Sequence, residues 1–362
     1  MEDALLPDAP FPDPLAFARA TQRAAQENWR AAQARTLDLL GYGLAEHPYE
    51  IVAETPLWRL RHYIGGTAPQ GPPALMVPAP IKRAYVWDLA PEVSVVGTGL
   101  AHGLDVHLVE WRPPAAGGAP HGLEDYARAV LAAAEAVTAR VAGTPVVLGH
   151  SLGGTLAALA AALEPAHFRA LVLLAAPLSF APGSSAFRDA VALREDRTPE
   201  DGLVPGAQLG QACALLAPGT FVWHRWLDGA LSLGDPAALA LHLRITRWAL
   251  DEVPLSGKLV HEMVQWLYRE DRFTAGRLEL GGRLIGPQTL RLPALAAVSR
   301  SDEIGPRAAV EPFFAHMAAG STEIVEHPAE IGVGLQHLAI LAGRQAHRLV
   351  WPRIAAWIAA RA

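Results

Sequence analysis

The segment with the clearest chemical meaning is Gly149-His150-Ser151-Leu152-Gly153, which Gly154 and Thr155 follow. It lies between the apolar run Pro145-Val146-Val147-Leu148 and an Ala/Leu-rich stretch from Leu156 to Leu163. This pattern predicts a strand, a sharp turn with serine at its apex, and a helix. The turn needs glycines because a side chain at either flanking position would clash. Ser151 is therefore the predicted nucleophile, exposed above a helix N-terminus where it can attack a carbonyl carbon.

A serine nucleophile needs a base and an acid that orients the base. In proteins with this turn, the chain order is serine, then Asp or Glu, then histidine. Asp302 follows the apolar run Leu292–Val298, in a loop that also contains Glu303. We favour Asp302 as the acid because it lies one residue closer to the strand end, and Glu303 stays open as the alternative.

The histidine is expected after the last strand and before the final helix. His337 lies in Gly334-Leu335-Gln336-His337, shortly before Gly343, and it is the base that we favour. His327 directly ends the predicted strand Thr322–Val325 and remains the alternative.

The proposed roles also require two backbone donors for the oxyanion that forms during acyl transfer. One is the N–H of Leu152, the residue after the nucleophile. The other is expected in the loop after the Ala74–Val77 strand, where two prolines lack an N–H group. Ala79, Ile81 and Lys82 remain, and of these we choose Ile81.

Strand-like and helix-like segments alternate on both sides of Ser151, which is typical of an α/β protein with a mostly parallel sheet. Together with the elbow, this predicts the α/β-hydrolase fold. The alternation stops near Pro177 and returns at Leu292. We therefore predict an N-terminal helical extension (1–45), a hydrolase core (46–177 and 286–362) and an inserted, mainly helical cap (178–285).

Composition excludes several other functions. The 362 residues carry a net charge of −6, so no basic face for nucleic acid is expected. No apolar run approaches the roughly 18 residues of a membrane span, and the acidic, proline-rich start does not resemble a signal peptide. One cysteine, Cys213, suits a reducing compartment, so we expect a cytoplasmic protein. C-x-x-C and H-E-x-x-H motifs are absent from the sequence, and we expect neither a metal nor a cofactor.

Several segments in one order resemble poly(3-hydroxyalkanoate) synthases. They are Val77–Leu89, Gly103–Arg112, Gly149–Thr155, Trp248 with Asp251 and Pro254, Leu267-Tyr268, Gly281–Arg283, Asp302 with Ile304 and Pro306, and His337–Trp357. The resemblance covers the chain from about Leu57 onward. It implies catalytic roles for Ser151, Asp302 and His337, and a small-molecule or polyester acyl substrate such as an acyl-CoA. It also implies a homo-oligomer or a synthase partner subunit.

Two departures from that family matter. The family nucleophile is cysteine, whereas this chain has Ser151 and its single cysteine lies in the predicted cap. Gln336 stands where the family has a small residue before the histidine. We therefore expect a serine hydrolase of hydroxyacyl esters or thioesters. The alternatives are a synthase that polymerises hydroxyacyl-CoA through Ser151, and an inactive homologue that binds polymer or a synthase.

Overall fold

The computed structural model describes residues 14–66, 68–115, 117–141, 143–193, 200–317 and 321–361. The strands are β1 Tyr49–Glu54, β2 Trp58–Tyr63, β3 Pro73–Val77, β4 Asp105–Trp111, β5 Val146–His150, β6 Ala170–Leu174, β7 Leu203–Val204, β8 Leu255–Ser256, β9 Leu278–Leu280, β10 Arg283–Ile285, β11 Ala294–Val298 and β12 Thr322–Glu326. The α-helices are α1 Pro14–Leu37, α2 Val95–Ala101, α3 Leu123–Arg140, α4 Leu152–Leu163, α5 Ala186–Ala192, α6 Gly206–Leu216, α7 His224–Ser232, α8 Pro236–Leu250, α9 Gly257–Glu262, α10 Glu311–Ala315, α11 Ala339–Ala342 and α12 Trp351–Ala359. Short 3-10 helices are Ala84–Trp87, Pro91–Val93, Pro165–His167, Pro287–Thr289, Arg307–Ala309 and Gln336–Leu338, and wider π-helical turns are Asp38–Tyr42, Gly219–Trp223, Met263–Arg269 and Ala346–Val350.

The central sheet has eight strands in the order β1-β2-β4-β3-β5-β6-β11-β12. β1 and β2 form an antiparallel pair, and β2 is antiparallel to β4. The strands from β4 to β12 along this order are all parallel. The carboxyl ends of β5 and β11 therefore point to the same edge, which brings the segments after them together.

Helices cover both faces of this sheet, because its central strands are apolar on both sides. The burial pattern of β3, β4, β5, β6 and β11 is continuous rather than alternating. One hydrophobic cluster joins the sheet to α3 and α4, and a second joins its other face to α2, α11 and α12. The predicted α/β-hydrolase fold with a mostly parallel sheet is confirmed.

The chain between β6 and β11 contains α5 to α9 and two short antiparallel strand pairs, β7 with β8 and β9 with β10. Its first part includes α6, on which no residue is buried. Its last part joins the core, since Leu267, Phe273 and Leu278 belong to the same buried cluster as α3 and α4. The boundaries 178–285 of the predicted cap stay a prediction.

The N-terminal helix α1 packs against α8 of the insertion. Just after α1, Asp38 accepts two hydrogen bonds from the Arg247 guanidinium, at 2.7 and 3.1 Å. Such a bidentate pair fixes both position and orientation. The proposed extension 1–45 thus contacts the insertion. In the described part of the chain, no helix is both long and apolar enough to cross a membrane.

Candidate active site

Ser151 lies at the apex of a sharp turn between β5 and α4, as the sequence predicts. Its backbone φ is +56°, a left-handed value that a residue with a side chain rarely adopts. Its N–H donates to the Leu174 carbonyl on β6 at 3.0 Å, and its own carbonyl accepts from Gly154 at 2.9 Å. These bonds hold a strained backbone in place at the end of the strand, where a nucleophile is presented.

The glycines around Ser151 are required by close backbone approach. A Cβ on Gly149 would lie 2.4 Å from the Gly154 Cα, and one on Gly153 would lie 2.2 Å from the Val77 carbonyl oxygen. A Cβ on Gly154 would lie 2.3 Å from the Ala176 Cβ. All of these separations are shorter than any normal contact, so the elbow tolerates no side chain there.

Asp302 and His337 are brought together at the same edge of the sheet. His337 Nδ1 lies 2.9 Å from Asp302 Oδ2, and both side chains are buried. Because a carboxylate only accepts, Nδ1 carries the proton and donates it. The neutral ring then has its lone pair on Nε2, which is buried and has no hydrogen-bond partner among the described residues. This is the atom a general base would use toward a serine hydroxyl.

The Asp302 carboxylate is held in its ionised form. Its Oδ1 accepts the Ile304 N–H at 2.8 Å. Burial alone would raise its pKa, but the neighbouring His337 and the amides of Ile304 and Gly305 outweigh burial, so the pKa of Asp302 lies below its usual range. An ionised carboxylate at this position stabilises an imidazolium and fixes the ring orientation.

The two alternatives from the sequence occupy other positions. Glu303 accepts a hydrogen bond from the Thr220 hydroxyl of the insertion, so it is directed toward the inserted helices. His327 ends β12, and its Nδ1 lies 3.2 Å from the Pro328 carbonyl rather than beside a carboxylate. Burial lowers the pKa of His327. The geometry supports Asp302 and His337 for the roles of acid and base.

The expected oxyanion donors lie on segments that touch. Leu152 begins α4, and Ile81 lies in the turn four residues after β3. The close approach of Gly153 to the end of β3 places this turn against the N-terminus of α4. Trp111 holds the segment by donating its indole N–H to the Pro78 carbonyl at 2.7 Å. Ile81 as the second donor stays a prediction.

His150, to which the sequence assigns no role, binds the backbone of the proposed base. Its Nε2 lies 2.9 Å from the His337 carbonyl oxygen, and the two rings are 4.8 Å apart. A carbonyl only accepts, so Nε2 carries the proton. Burial, together with His337, lowers the pKa of His150 to about 3, which keeps it neutral.

Asp228, on α7 of the insertion, binds the loop that leads to His337. Its buried carboxylate accepts the Gly332 N–H at 2.8 Å and the Gly334 N–H at 2.9 Å. His242 on α8 lies 2.7 Å from the same carboxylate. The two glycines have φ values of +93° and +67°, so the loop needs glycine at both positions. The glycines of such a loop bend can be recognised in the sequence. Asp228, which binds the bend, gives no such signal because it is more than 100 residues away.

Cys213 has the environment of an inert thiol. It lies half-buried on α6, and its partial removal from water raises its pKa to about 11. A reactive cysteine needs a lowered pKa, because the thiolate is the nucleophile. The single cysteine therefore does not replace Ser151.

The comparisons with known proteins concern the fold and the similarity to other families. A family model described as alpha/beta hydrolase fold matches residues 87–201. The poly(3-hydroxyalkanoate) polymerase subunit PhaC of Haloferax mediterranei is 26% identical over 342 residues, which cover 91% of this chain and 68% of that protein. The same subunit of Haloarcula marismortui is 25% identical and covers 98% and 77%. That of Thiocystis violacea is 25% identical and covers 81% and 82%.

The chain has the α/β-hydrolase fold and is similar to the poly(3-hydroxyalkanoate) polymerases. The resemblance inferred from the sequence is confirmed, and so is the prediction of an enzyme, either an esterase or a synthase-type acyltransferase.

Solved structures of other α/β-hydrolases share the fold at low identity. A carboxylesterase of Nitrososphaera gargenis is 14% identical, covers 87% of this chain and 100% of its own, and has a TM-score of 0.51. Carboxylesterase CesB of Bacillus subtilis is 14% identical, covers 92% and 98%, and has a TM-score of 0.50. At these identities the likeness concerns the fold alone.

Proposed function

We propose that this α/β-hydrolase cleaves esters or thioesters of hydroxyacyl type through an acyl-enzyme on Ser151. The observation that carries the proposal is the buried Asp302–His337 hydrogen bond, which leaves His337 Nε2 without a partner among the described residues, while the His337 ring lies 4.8 Å from that of His150 in the serine elbow. The roles of all three residues are part of the proposal.

The first half-reaction begins when His337 Nε2 accepts the proton of the Ser151 hydroxyl as Oγ attacks the acyl carbon. The resulting oxyanion accepts hydrogen bonds from the N–H groups of Leu152 and Ile81. When the tetrahedral intermediate collapses, His337 returns the proton to the departing alcohol or thiol. Ser151 then carries the acyl group as an oxygen ester.

The second half-reaction decides between hydrolysis and polymer synthesis. For hydrolysis, His337 takes a proton from water as the water oxygen attacks the ester on Ser151. When this second tetrahedral intermediate collapses, the bond from the acyl carbon to Ser151 Oγ breaks, His337 returns the proton to Oγ, and the hydroxy acid is released. Serine favours this outcome, because an oxygen ester is a poorer acyl donor than the thioester that a cysteine would form. The inert Cys213 supplies no thiol for a thioester route.

Polymer synthesis is the second candidate, and the similarity to polymerase subunits favours it. In that reaction the hydroxyl of another hydroxyacyl unit, rather than water, attacks the acyl-enzyme. The proposed substrate would then be an acyl-CoA, and a synthase partner subunit or a second copy of the chain would be its partner. The single cysteine leads us to propose the cytoplasm as the compartment.

The test combines active-site labelling with a product assay. A fluorophosphonate probe is expected to label the folded wild type and to fail on Ser151→Ala. His337→Ala and Asp302→Asn should lower labelling about 100-fold or more, while His327→Ala serves as the matched histidine control. Labelling lost only in His327→Ala would refute the assignment of the base.

The product assay uses 3-hydroxybutyryl-CoA and simple p-nitrophenyl esters with the same variants. Free hydroxy acid and CoA, dependent on Ser151, support hydrolysis. Polymer with CoA release supports synthesis instead. A folded wild type that neither labels nor turns over any of these substrates would contradict both and favour the inactive binding homologue.

A further inference from the structure

A second cluster of chemically active side chains lies on the antiparallel side of the sheet, away from Ser151. His62 of β2 and His107 of β4 are direct cross-strand partners, so their side chains share one face. Asp105, two residues before His107 on the same strand, shares that face as well. One ligand atom from each of the three residues lies within 4.8 Å of the others.

His107 has a lone pair on Nε2 that accepts no hydrogen bond from the described residues. The residue is fully buried, and its Nε2 has no hydrogen-bond partner among the described residues. Its Nδ1 lies 3.2 Å from the Asp105 carbonyl oxygen, which can only accept, so Nδ1 carries the proton. An unpaired buried nitrogen is costly in an apolar interior, and it is therefore a feature that needs a function.

His62 also points its Nε2 into the cluster, and its Nδ1 has a partner on the opposite side of the ring. Its Nδ1 lies 3.2 Å from the Glu50 carboxylate on β1, and its Nε2 lies 2.8 Å from Asp105 Oδ1. Arg140 holds Glu50 in turn, at 2.9 Å. A histidine that donates Nδ1–H to a carboxylate and points Nε2 toward a second acidic group has the outer support that metal-bound histidines have.

We propose that His62 Nε2, His107 Nε2 and Asp105 Oδ1 bind a divalent transition-metal ion, for which Zn²⁺ is the best match. Two imidazoles and one carboxylate are a common zinc donor set, with the fourth position left to water. Zinc bonds near 2.1 Å place neighbouring ligand atoms roughly 3.4 Å apart. His62 Nε2 and Asp105 Oδ1, now 2.8 Å apart, would therefore separate slightly, while the widest pair, within 4.8 Å, would close by up to about 1.4 Å. The half-buried His62 provides the entry side.

Binding would exchange the proton between His62 and Asp105 for the metal ion. That proton leaves to solvent. The Nδ1 partners of the two histidines stay in place: the Glu50 carboxylate for His62 and the Asp105 carbonyl for His107. The ion would join β2 to β4, the point where the antiparallel strands attach to the parallel sheet.

The site is separate from the proposed catalytic residues. His107 pairs with Leu75 of β3, and Leu75 pairs with Val147 of β5. Val147 precedes Ser151 by four residues, or about 13 Å along the strand direction. The proposed ion therefore has a structural role and takes no part in the reaction at Ser151. Its test does not depend on the proposed function.

The test is equilibrium binding of Zn²⁺ to the chelator-treated full chain, measured by competition with a chromogenic chelator. Co²⁺ binding, followed by its visible absorption, reports the coordination. The variants are His62→Gln and His107→Gln, and the control is His316→Gln, because His316 is an exposed histidine outside the cluster. Glu50→Gln tests the outer partner.

We expect one Zn²⁺ per wild-type chain, with affinity lowered about 100-fold or more in both ligand variants and unchanged in the control. Glu50→Gln should weaken binding about 10-fold. Zn²⁺ should also raise the Tm of the wild type and leave that of His62→Gln unchanged.

Wild-type affinity no better than that of His62→Gln would overturn the proposal, as would an equal loss in His316→Gln. If circular dichroism shows that the variant His107→Gln at the buried position does not fold, the variants His62→Gln, at a half-buried position, and Glu50→Gln, at the outer partner, decide the question. Unchanged Co²⁺ absorption in both of these variants would then refute the site.

Discussion

His150 offers a sharp test of how the elbow positions the proposed base. Its Nε2–H donates to the His337 carbonyl at 2.9 Å in a buried environment. His150→Leu keeps the volume but leaves that carbonyl without its donor. Leaving a buried acceptor unpaired costs about 1–3 kcal/mol, which should appear as a loss in the free energy of unfolding. Because the carbonyl belongs to His337 itself, relaxation also moves the imidazole, and we expect kcat/KM to fall about 10- to 100-fold.

His150→Gln is the matched variant, since its amide nitrogen can occupy nearly the position of Nε2 and donate to the same carbonyl. It should recover most of the activity. The assay is hydrolysis of a p-nitrophenyl ester, with kcat and KM measured separately, beside urea unfolding of each variant. A positioning role predicts that kcat falls while KM changes little. A folded His150→Leu with kcat/KM within twofold of the wild type would refute the reasoning, and so would a Gln variant as impaired as Leu.

Three further predictions follow from the same contacts. Gly153→Ala should lower fluorophosphonate labelling at least 10-fold, because its Cβ would lie 2.2 Å from the backbone oxygen at the end of β3; wild-type labelling would contradict this. Asp228→Asn weakens the acceptor for the Gly332 N–H, so kcat should fall about 10-fold with KM unchanged in steady-state kinetics. Burial lowers the pKa of His107 to about 4 and that of His150 to about 3. The unfolded chain therefore binds more protons between about pH 6.5 and 4, and urea unfolding should show stability falling as pH drops from 7 to 5, less so in His150→Gln.

The parts of the fold that depend on local pattern could be predicted from the sequence. The elbow around Ser151 combines an apolar strand, small residues and a helix within about twenty positions, so its geometry is encoded nearby. The order of strands and helices predicts a parallel sheet. Once that sheet exists, the segments after β5 and β11 meet at one edge, which explains why Asp302 could be expected near Ser151.

The supporting contacts could not be predicted, because their partners are distant in sequence. Asp228 lies in the insertion, and the loop that it binds lies after β12, so no local pattern relates them. His62 and His107 share a face only because β2 pairs with β4 in one register. Shifting that register by one residue would place them on opposite faces. The expectation that the chain holds no metal was drawn from motifs in which the ligands are close in sequence, and this cluster has no such motif.

Contacts from two parts of the chain hold the proposed base His337, and one of these parts is the insertion. His150 holds the His337 carbonyl from the elbow side, and Asp228 holds the preceding loop from α7. On the same helix and the turn before it, Trp223 and Trp226 are 68% and 75% exposed. If α7 moves, either the His337 loop moves with it or both hydrogen bonds from the loop backbone to Asp228 break. Whatever contacts the exposed face of α7, whether an acyl chain or a protein, therefore acts on the same helix that helps to position the proposed catalytic histidine.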